Sequence, residues 1–233
     1  MEKAAAAFAM ETPKELEKGL TLEYLALPSP ISGRGGVVRF FLLANKVVFT
    51  EKLHSLADWG GSVKAKYVAE GISPAGHLPL LWVGDGPACS EHISLMRLVA
   101  NLTQLKTAKD ADCWSLYAQD MVADAYAEWR GDWASATFGG DDAAKDTYKA
   151  TIPGRLKQFE GVIAKAGLKG AFISGDLPLW GDSALFSLIS DNIATGYTGV
   201  DAVKEFPLLH QICTAYAGIE AVAGWYGDSS PWK

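Results

Sequence analysis

A proline at the mouth of a short apolar run constrains this chain more than any other feature. His77–Leu78–Pro79–Leu80–Leu81–Trp82–Val83 is followed by Gly84–Asp85–Gly86 and then by a helical pattern from about Glu91. Proline removes a ladder donor, and the first position of a strand is where that loss costs least. An X-Pro bond there can be cis, leaving Leu78 in a bend with free backbone groups. The expected order is strand, Gly-Asp-Gly turn, amphipathic helix. An ordinary β-hairpin feeding a helix is the simpler alternative.

The 233 residues suffice for one large or two small domains with a real core. A net charge of −6 with no lysine or arginine block argues against a nucleic-acid or anionic-membrane partner. Cys89, Cys113 and Cys213 form no C-x-x-C, so neither a disulfide framework nor a metal site follows. They read as free thiols of a reducing compartment. No apolar run approaches the roughly 18–20 residues of a membrane span. Met1–Met10 is rich in alanine but too short and too weakly basic for a signal peptide. Residues 1–18 are expected to be an N-terminal extension outside the fold, either a trimmed remnant or a tail.

Leu20 to Leu27 reads as the first strand, ended by Pro28–Ser29–Pro30. A glycine-rich loop leads to a first helix over Val37 to Asn45, and Val47 to Leu53 reads as the second strand. A polar connection opens at Ala57–Asp58–Trp59 and runs to Ile72. From Glu91, Leu95, Leu98, Val99, Leu102 and Leu105 share one helical face. After Gly86 the next strand is missing or very short. Thr107 to Asp112 is polar and is placed as a linker. The pattern beyond it is helical. Trp114, Tyr117, Met121 and Ala125 are expected to form a face, Gly131 to Asp142 to break that helix, and further helices to lie over Arg155–Lys165, Asp182–Ile193 and Phe206–Trp225. The periodicity predicts an α/β half at 19–105 followed by an all-helical half at 112–228.

Leu78–Pro79 with its turn and helix resembles the second half of a thioredoxin-like domain of the glutathione S-transferase type. Gly170–Ala171–Phe172–Ile173–Ser174–Gly175–Asp176 through Asp182 is similar to that family's G-x-F-x-x-G-D-x-x-T-x-A-D stretch. Phe206–Pro207–Leu208–Leu209 resembles its F-P-x-L, and Asp58–Trp59 the connection tryptophan of sigma-type members. The resemblance runs from about Leu20 to Trp225, closest to sigma and mu patterns. It implies a cytosolic glutathione transferase architecture, a thioredoxin-like domain followed by a helical one. One departure is physical. Leu179 stands where the family's capping box has Ser or Thr, so the hydroxyl that would cap the helix at Asp182 is missing, a loss of about 1 kcal/mol.

The resemblance also implies a site. A thiol transferase must lower the thiol pKa of glutathione, since the thiolate is the nucleophile. The activating hydroxyl is expected near the end of strand 1. Counting back from Arg39 lands on Pro28, and anchoring on Gly33–Arg34–Gly35 lands on Pro30, so neither register supplies Tyr. Tyr24, Ser29 and Ser32 are the candidates. An ordinary strand aromatic and two turn serines are the alternatives. Leu78, beside Pro79, would pair its backbone with the cysteinyl part of glutathione. Ser90, Glu91 and His92 would stand where the γ-glutamyl carboxylate binds, with Ser90 otherwise a cap. Trp59, Lys64 and Lys66 could line the glycyl end. Tyr117, Tyr126 and Trp129 are candidates for the second-substrate pocket, or core residues at helical spacing.

The resulting expectation is a cytoplasmic, homodimeric detoxification enzyme. It would join a glutathione thiolate to a small hydrophobic electrophile or run a glutathione-dependent isomerisation, with glutathione as co-substrate and no metal. The alternative is a non-catalytic protein of the same fold, used for binding or structure.

Overall fold

The computed structural model describes residues 18–233, so the expected N-terminal extension falls almost wholly outside the described residues. Four strands form one sheet: β1 (Leu20–Leu25), β2 (Thr50–His54), β3 (Leu80–Val83) and β4 (Ala88–Cys89), in the order β2-β1-β3-β4. β1 runs parallel to β2 and antiparallel to β3, and β3 is antiparallel to β4. Helix α1 (Gly33–Ala44) crosses between β1 and β2, and α4 (His92–Leu102) follows β4. This is the thioredoxin-like half, with the short last strand expected after Gly86.

Strand periodicity gives β1 two faces. Leu20, Leu22 and Tyr24 share the face beneath α1, while Glu23 points to the other and is fully buried there. The second face is covered by a stretch expected to be a polar connection. It is helical instead: α2 (Leu56–Asp58), a π-helical turn (Trp59–Val63) and α3 (Lys64–Ala69) run on without a break. Ser55 opens it, its Oγ accepting from the Asp58 N–H at 3.0 Å.

Two boundaries differ from the sequence pattern because backbone groups are engaged elsewhere. The Val47 N–H closes the end of α1 on the Leu42 carbonyl at 2.9 Å, with Lys46 left-handed at φ 56°. The second strand therefore starts at Thr50 rather than Val47, and Val48 is exposed. At the other end, α1 begins four residues before Val37. The Asp191 carboxylate, brought from far along the chain, accepts from the Ser32 and Gly33 N–H groups.

The second half is helical. α5 (Lys106–Asp110) lies across the expected linker. The helices α6 (Cys113–Ala134), α7 (Asp142–Ala166), α8 (Trp180–Ala194), α9 (Val200–Lys204), α10 (Pro207–Ala217) and α11 (Glu220–Tyr226) follow. A π-helical turn at Ser135–Gly139 extends α6 beyond Gly131, where the sequence pattern predicts a break. α7 starts thirteen residues before Arg155 and carries Pro153 within it. α8 is buried on all sides along most of its length, as the central helix of a core must be. Among the described residues no helix is long and apolar enough to cross a membrane.

The core-facing side of α6 is a correction. Trp114 and Tyr117 are exposed, and the buried face is Ala118, Gln119, Val122, Tyr126, Trp129, Arg130 and Trp133. The buried face holds the larger rings Tyr126, Trp129 and Trp133 together with polar side chains that bond into α8, Gln119 among them. Its Oε1 accepts from the Gly181 N–H at 2.7 Å and the Asp182 N–H at 3.3 Å. These are the amides that a cap hydroxyl would take at the start of α8, so a side chain from α6 replaces the missing hydroxyl of Leu179. Asp182 completes the arrangement by accepting from the Leu179 N–H at 3.1 Å, the Ile173 N–H and Gln119 Nε2. Burial nevertheless lifts its carboxyl to about 6.

Candidate functional site

A cavity of about 470 Å³ opens where the two halves meet. The sheet side supplies Tyr24, Trp59, Leu78 and Pro79, the start of α1 supplies Gly33 and Arg34, and the start of α4 supplies Glu91 and His92. The helical half supplies Ala127, Arg130, Trp133, Ala134 and Phe138.

Tyr24 is the sequence candidate hydroxyl that lines it. The phenol oxygen accepts from the Arg34 N–H at 3.0 Å, at the first turn of α1. Burial pushes the phenol above its ordinary range, while the backbone bond from Gly35 and the charge of Arg130 pull the other way. The net rise keeps Tyr24 protonated, with its oxygen held by backbone donors and its proton left to give. Two glycines make room for this ring. A Cβ on Gly33 would stand 2.5 Å from the Tyr24 hydroxyl, and one on Gly35 would stand 2.2 Å from the ring. Gly33 also has φ 61°, which only glycine adopts without strain.

The two serines lie elsewhere. Ser29 is exposed and shares a hydrogen bond with Ser229 at 2.8 Å. Ser32 is buried, its Oγ donating to Asp191 Oδ1 at 3.0 Å and lying 3.1 Å from Ser187 Oγ. Neither lines the cavity.

Leu78–Pro79 is cis, and Ser29–Pro30 is a second cis bond. Among the described residues nothing hydrogen-bonds to the Leu78 N–H or C=O, so a peptide-like ligand can pair there as a short strand. Glu91 adopts φ 69°, a conformation rare for a residue with a side chain. Its carboxylate lies 4.0 Å from His77 Nδ1. The His92 ring packs edge-on against Tyr126 at 5.5 Å, and its buried Nε2 has no hydrogen-bond partner among the described residues. Burial, then the charges of Arg34 and Arg130, push its pKa down to about 3. His92 is therefore neutral at physiological pH, able to hydrogen-bond without carrying a charge. Ser90 precedes this turn and does not reach the cavity lining.

Trp59 lines the cavity, and Lys64 is exposed and outside the lining. Lys66 faces Glu70 at 4.0 Å. The three candidates for the second-substrate pocket are not brought together. Tyr117 is exposed, Tyr126 is buried behind His92, and Trp129 is buried, donating to the Tyr148 hydroxyl at 2.7 Å. The wall is formed by the next positions along the same helix, Arg130, Trp133 and Phe138. Aromatic spacing found the right helix, and burial against α8 turned it to present a different stripe.

Sequence reasoning missed the charge pair that holds this wall. Arg130 Nη1 donates to Asp191 Oδ2 at 2.6 Å, Nη2 to Ser187 Oγ at 3.0 Å and Nε to the Tyr126 hydroxyl at 3.2 Å. Its guanidinium lies 4.7 Å from the Trp133 ring centroid. Both partners are buried. Burial disfavours the Arg130 charge, but Tyr126 and Asp191 more than offset that, and the guanidinium stays charged. No spacing signal links residues so far apart. A single arginine on the inner face of α6 was the clue available.

The second face of the sheet carries another buried network. Glu23 Oε1 accepts from His54 Nε2 at 2.5 Å, the Tyr67 hydroxyl at 2.7 Å and Lys52 Nζ at 2.9 Å, and Oε2 accepts from Trp82 Nε1 at 2.6 Å. His54 and Tyr67 in turn flank Trp59, with ring centroids 6.0 and 5.9 Å away.

Comparison with known proteins matches this arrangement. Residues 127–229 fit the family model described as glutathione S-transferase, C-terminal domain. Human glutathione S-transferase P is 28% identical over 198 residues, covering 84% of this chain and 85% of the relative. The Xenopus laevis glutathione S-transferase P 1 is 24% identical over 193 residues, covering 83% of this chain and 84% of the relative. Among solved structures, a pi-class glutathione S-transferase of Onchocerca volvulus superposes with a TM-score of 0.71 at 21% identity, over 88% of this chain and 91% of that one. The prostaglandin synthase D of Nilaparvata lugens gives 0.67 at 18% identity, over 90% and 97%. The sheet and helical second half give this chain the fold of the glutathione S-transferases, and over residues 127–229 its sequence is similar to their C-terminal domain.

Proposed function

We propose that this chain is a glutathione transferase that joins the glutathione thiolate to a small electrophile in the cavity between its two halves. The observation that carries the reading is the Tyr24 phenol, which faces the cavity with its oxygen already accepting from the Arg34 N–H. A neutral phenol with its proton free is a donor suited to a thiolate, and a charge-assisted bond of this kind is stronger than a neutral one. The Leu78 backbone would hold the cysteinyl portion, Trp59 would border the glycyl end, and Glu91 and His92 would receive the γ-glutamyl end. Arg130, Trp133 and Phe138 would form the wall for the second substrate.

The test is a titration of bound glutathione by thiolate absorbance. Tyr24→Phe is expected to raise the thiol pKa by about one unit or more, since one unit corresponds to about 1.4 kcal/mol. Glutathione affinity should change little. Ser29→Ala, outside the cavity, serves as the control. A wild-type protein that binds glutathione without any depression of its thiol pKa would replace this reading with the non-catalytic one.

The same reading includes a cytoplasmic detoxification role and a two-fold dimer, in which the sheet half of one copy packs on the helical half of the other. Light scattering across micromolar concentrations should report twice the mass of the chain. A monomer throughout that range would remove the dimer from the proposal.

A further inference from the structure

We propose that Arg130 is a catalytic residue of this site, and that the second substrate is a conjugated carbonyl compound whose oxygen takes up charge as the thiolate adds. The inference rests on the transferase reading above and adds to it a substrate class and the group that activates it. The cavity has two arginines, on different walls. Arg34 opens α1, among the groups given to glutathione. Arg130 comes from α6, on the helical wall with Ala127, Trp133 and Ala134.

Arg130 is fixed before any substrate arrives. It is buried, and its bonds to Tyr126, Asp191 and Ser187 use Nε–H and one N–H on each of Nη1 and Nη2. The Trp133 and Tyr126 ring centroids lie 4.7 and 5.4 Å from the guanidinium and hold it in place. A guanidinium has five N–H donors. Among the described residues, the second N–H on Nη1 and that on Nη2 find no acceptor. Buried donors are as a rule satisfied, so donors left open on a cavity-lining cation call for an acceptor in the cavity. The charge also reaches the reacting end, since it pulls the Tyr24 phenol down against burial. An electrophile attacked by a sulfur at Tyr24 lies between that phenol and the helical wall. The wall carries one cation, two rings and two alanines, and no acid. It suits a planar conjugated body with negative charge arriving on its oxygen, and a prepositioned cation is the efficient way to stabilise such charge.

The step balances as an addition. The glutathione thiolate forms a C–S bond at the β-carbon, and the C=C pair moves to make an enolate. The enolate oxygen accepts from Arg130. The α-carbon then takes a proton from solvent, matching the one the thiol released.

The probes are benzylideneacetone, an aryl enone, and benzyl chloride, which offers the same ring with no carbonyl. In the second, the C–S bond forms as the C–Cl bond breaks, and chloride, a weak hydrogen-bond acceptor, leaves with the pair. Arg130→Met is expected to lower kcat/KM for the enone about a hundredfold more than for the chloride, the size of losing one oxyanion donor. Arg130→Lys should restore part of that preference. Methionine leaves Asp191 buried without its partner, so the ratio is also read in the double variant with Asp191→Ala, which removes both charges. Damage to the fold or to glutathione binding lowers both rates alike and cancels in the ratio. Equal losses for the two substrates overturn the inference. So does a wild type that conjugates benzyl chloride and leaves the enone untouched.

If neither probe turns over, the transferase reading has failed, and Arg130 is judged by binding. The saturated ketone conjugate of glutathione, made in solution, is added to the wild type and followed by infrared spectroscopy. A carbonyl stretch below its frequency in water, lost in the double variant, supports the contact. A stretch that does not fall, one that falls equally in the double variant, or no binding at all overturns it.

Discussion

Asp191→Ala is expected to destabilise the protein by about 3–5 kcal/mol, the range for removing one partner of a buried ion pair. The carboxylate serves both halves. Oδ1 accepts from the Ser32 N–H at 2.7 Å and its hydroxyl at 3.0 Å, and Oδ2 accepts from the Gly33 N–H at 2.9 Å and Arg130 Nη1 at 2.6 Å. Alanine would leave the Arg130 charge buried without its partner and two helix-start donors unmet. The start of α1 also presents the N–H that holds Tyr24, so glutathione binding should weaken along with stability. Urea unfolding measures the first effect and a glutathione titration the second. The physical cause is separable: the double variant Arg130→Met with Asp191→Ala removes both charges and should recover a large part of the loss. A single variant within about 1 kcal/mol of wild type, on the scale of an exposed pair, would show that the charge is not buried as described.

Glu23→Ala is expected to cost about 3–5 kcal/mol on the opposite face of the sheet, because it leaves the donors of His54, Tyr67 and Trp82 unmet at about 1–3 kcal/mol each. It strips the acceptor from His54, Tyr67, Lys52 and Trp82 together. Burial alone would raise the Glu23 carboxyl, but the bonds from His54, Tyr67, Lys52 and Trp82 outweigh it and hold it below its ordinary value. A carboxylate depressed in the folded state contributes stability above its unfolded pKa of about 4.3. That contribution is lost as pH falls through the lower, folded value. The wild type should therefore show a steep acid limb in its stability between about pH 4.5 and lower values. Glu23→Gln, which cannot ionise, should flatten that limb while lowering stability at pH 7. Unfolding curves taken down the pH scale decide it, and an unchanged limb in Glu23→Gln would refute the assignment. Because His54 and Tyr67 flank Trp59, the variant should also raise KM for glutathione.

Local periodicity was sufficient for much of this molecule. The alternation in Leu20–Leu25, the Pro79 strand start, the Gly84–Asp85–Gly86 turn and the α4 face all follow from side-chain spacing and backbone rules, which act over a few residues. The thioredoxin-like half and the helical half followed, and Leu78, Trp59, Glu91 and His92, four of the candidate residues, line one cavity. What the spacing could not contain is any partnership across the fold. Tyr24 lines the cavity and Ser32 does not, because Asp191 in α8 engages the serine and Gly33 and Gly35 open a seat for the ring. α6 turns Arg130, Trp133 and Phe138 to the cavity, not Tyr117, Tyr126 and Trp129, because Gln119 and Arg130 bond into α8. Leu179 looked like a lost cap until Gln119 supplied one from another helix. A buried polar group must find a partner, and the partner's position depends on how distant segments pack. For this chain the sequence alone determined the order of an α/β half before a helical half and the place of most strands and long helices, and only the tertiary structure decided their bounds and which hydroxyl, which arginine and which aromatic wall the cavity presents.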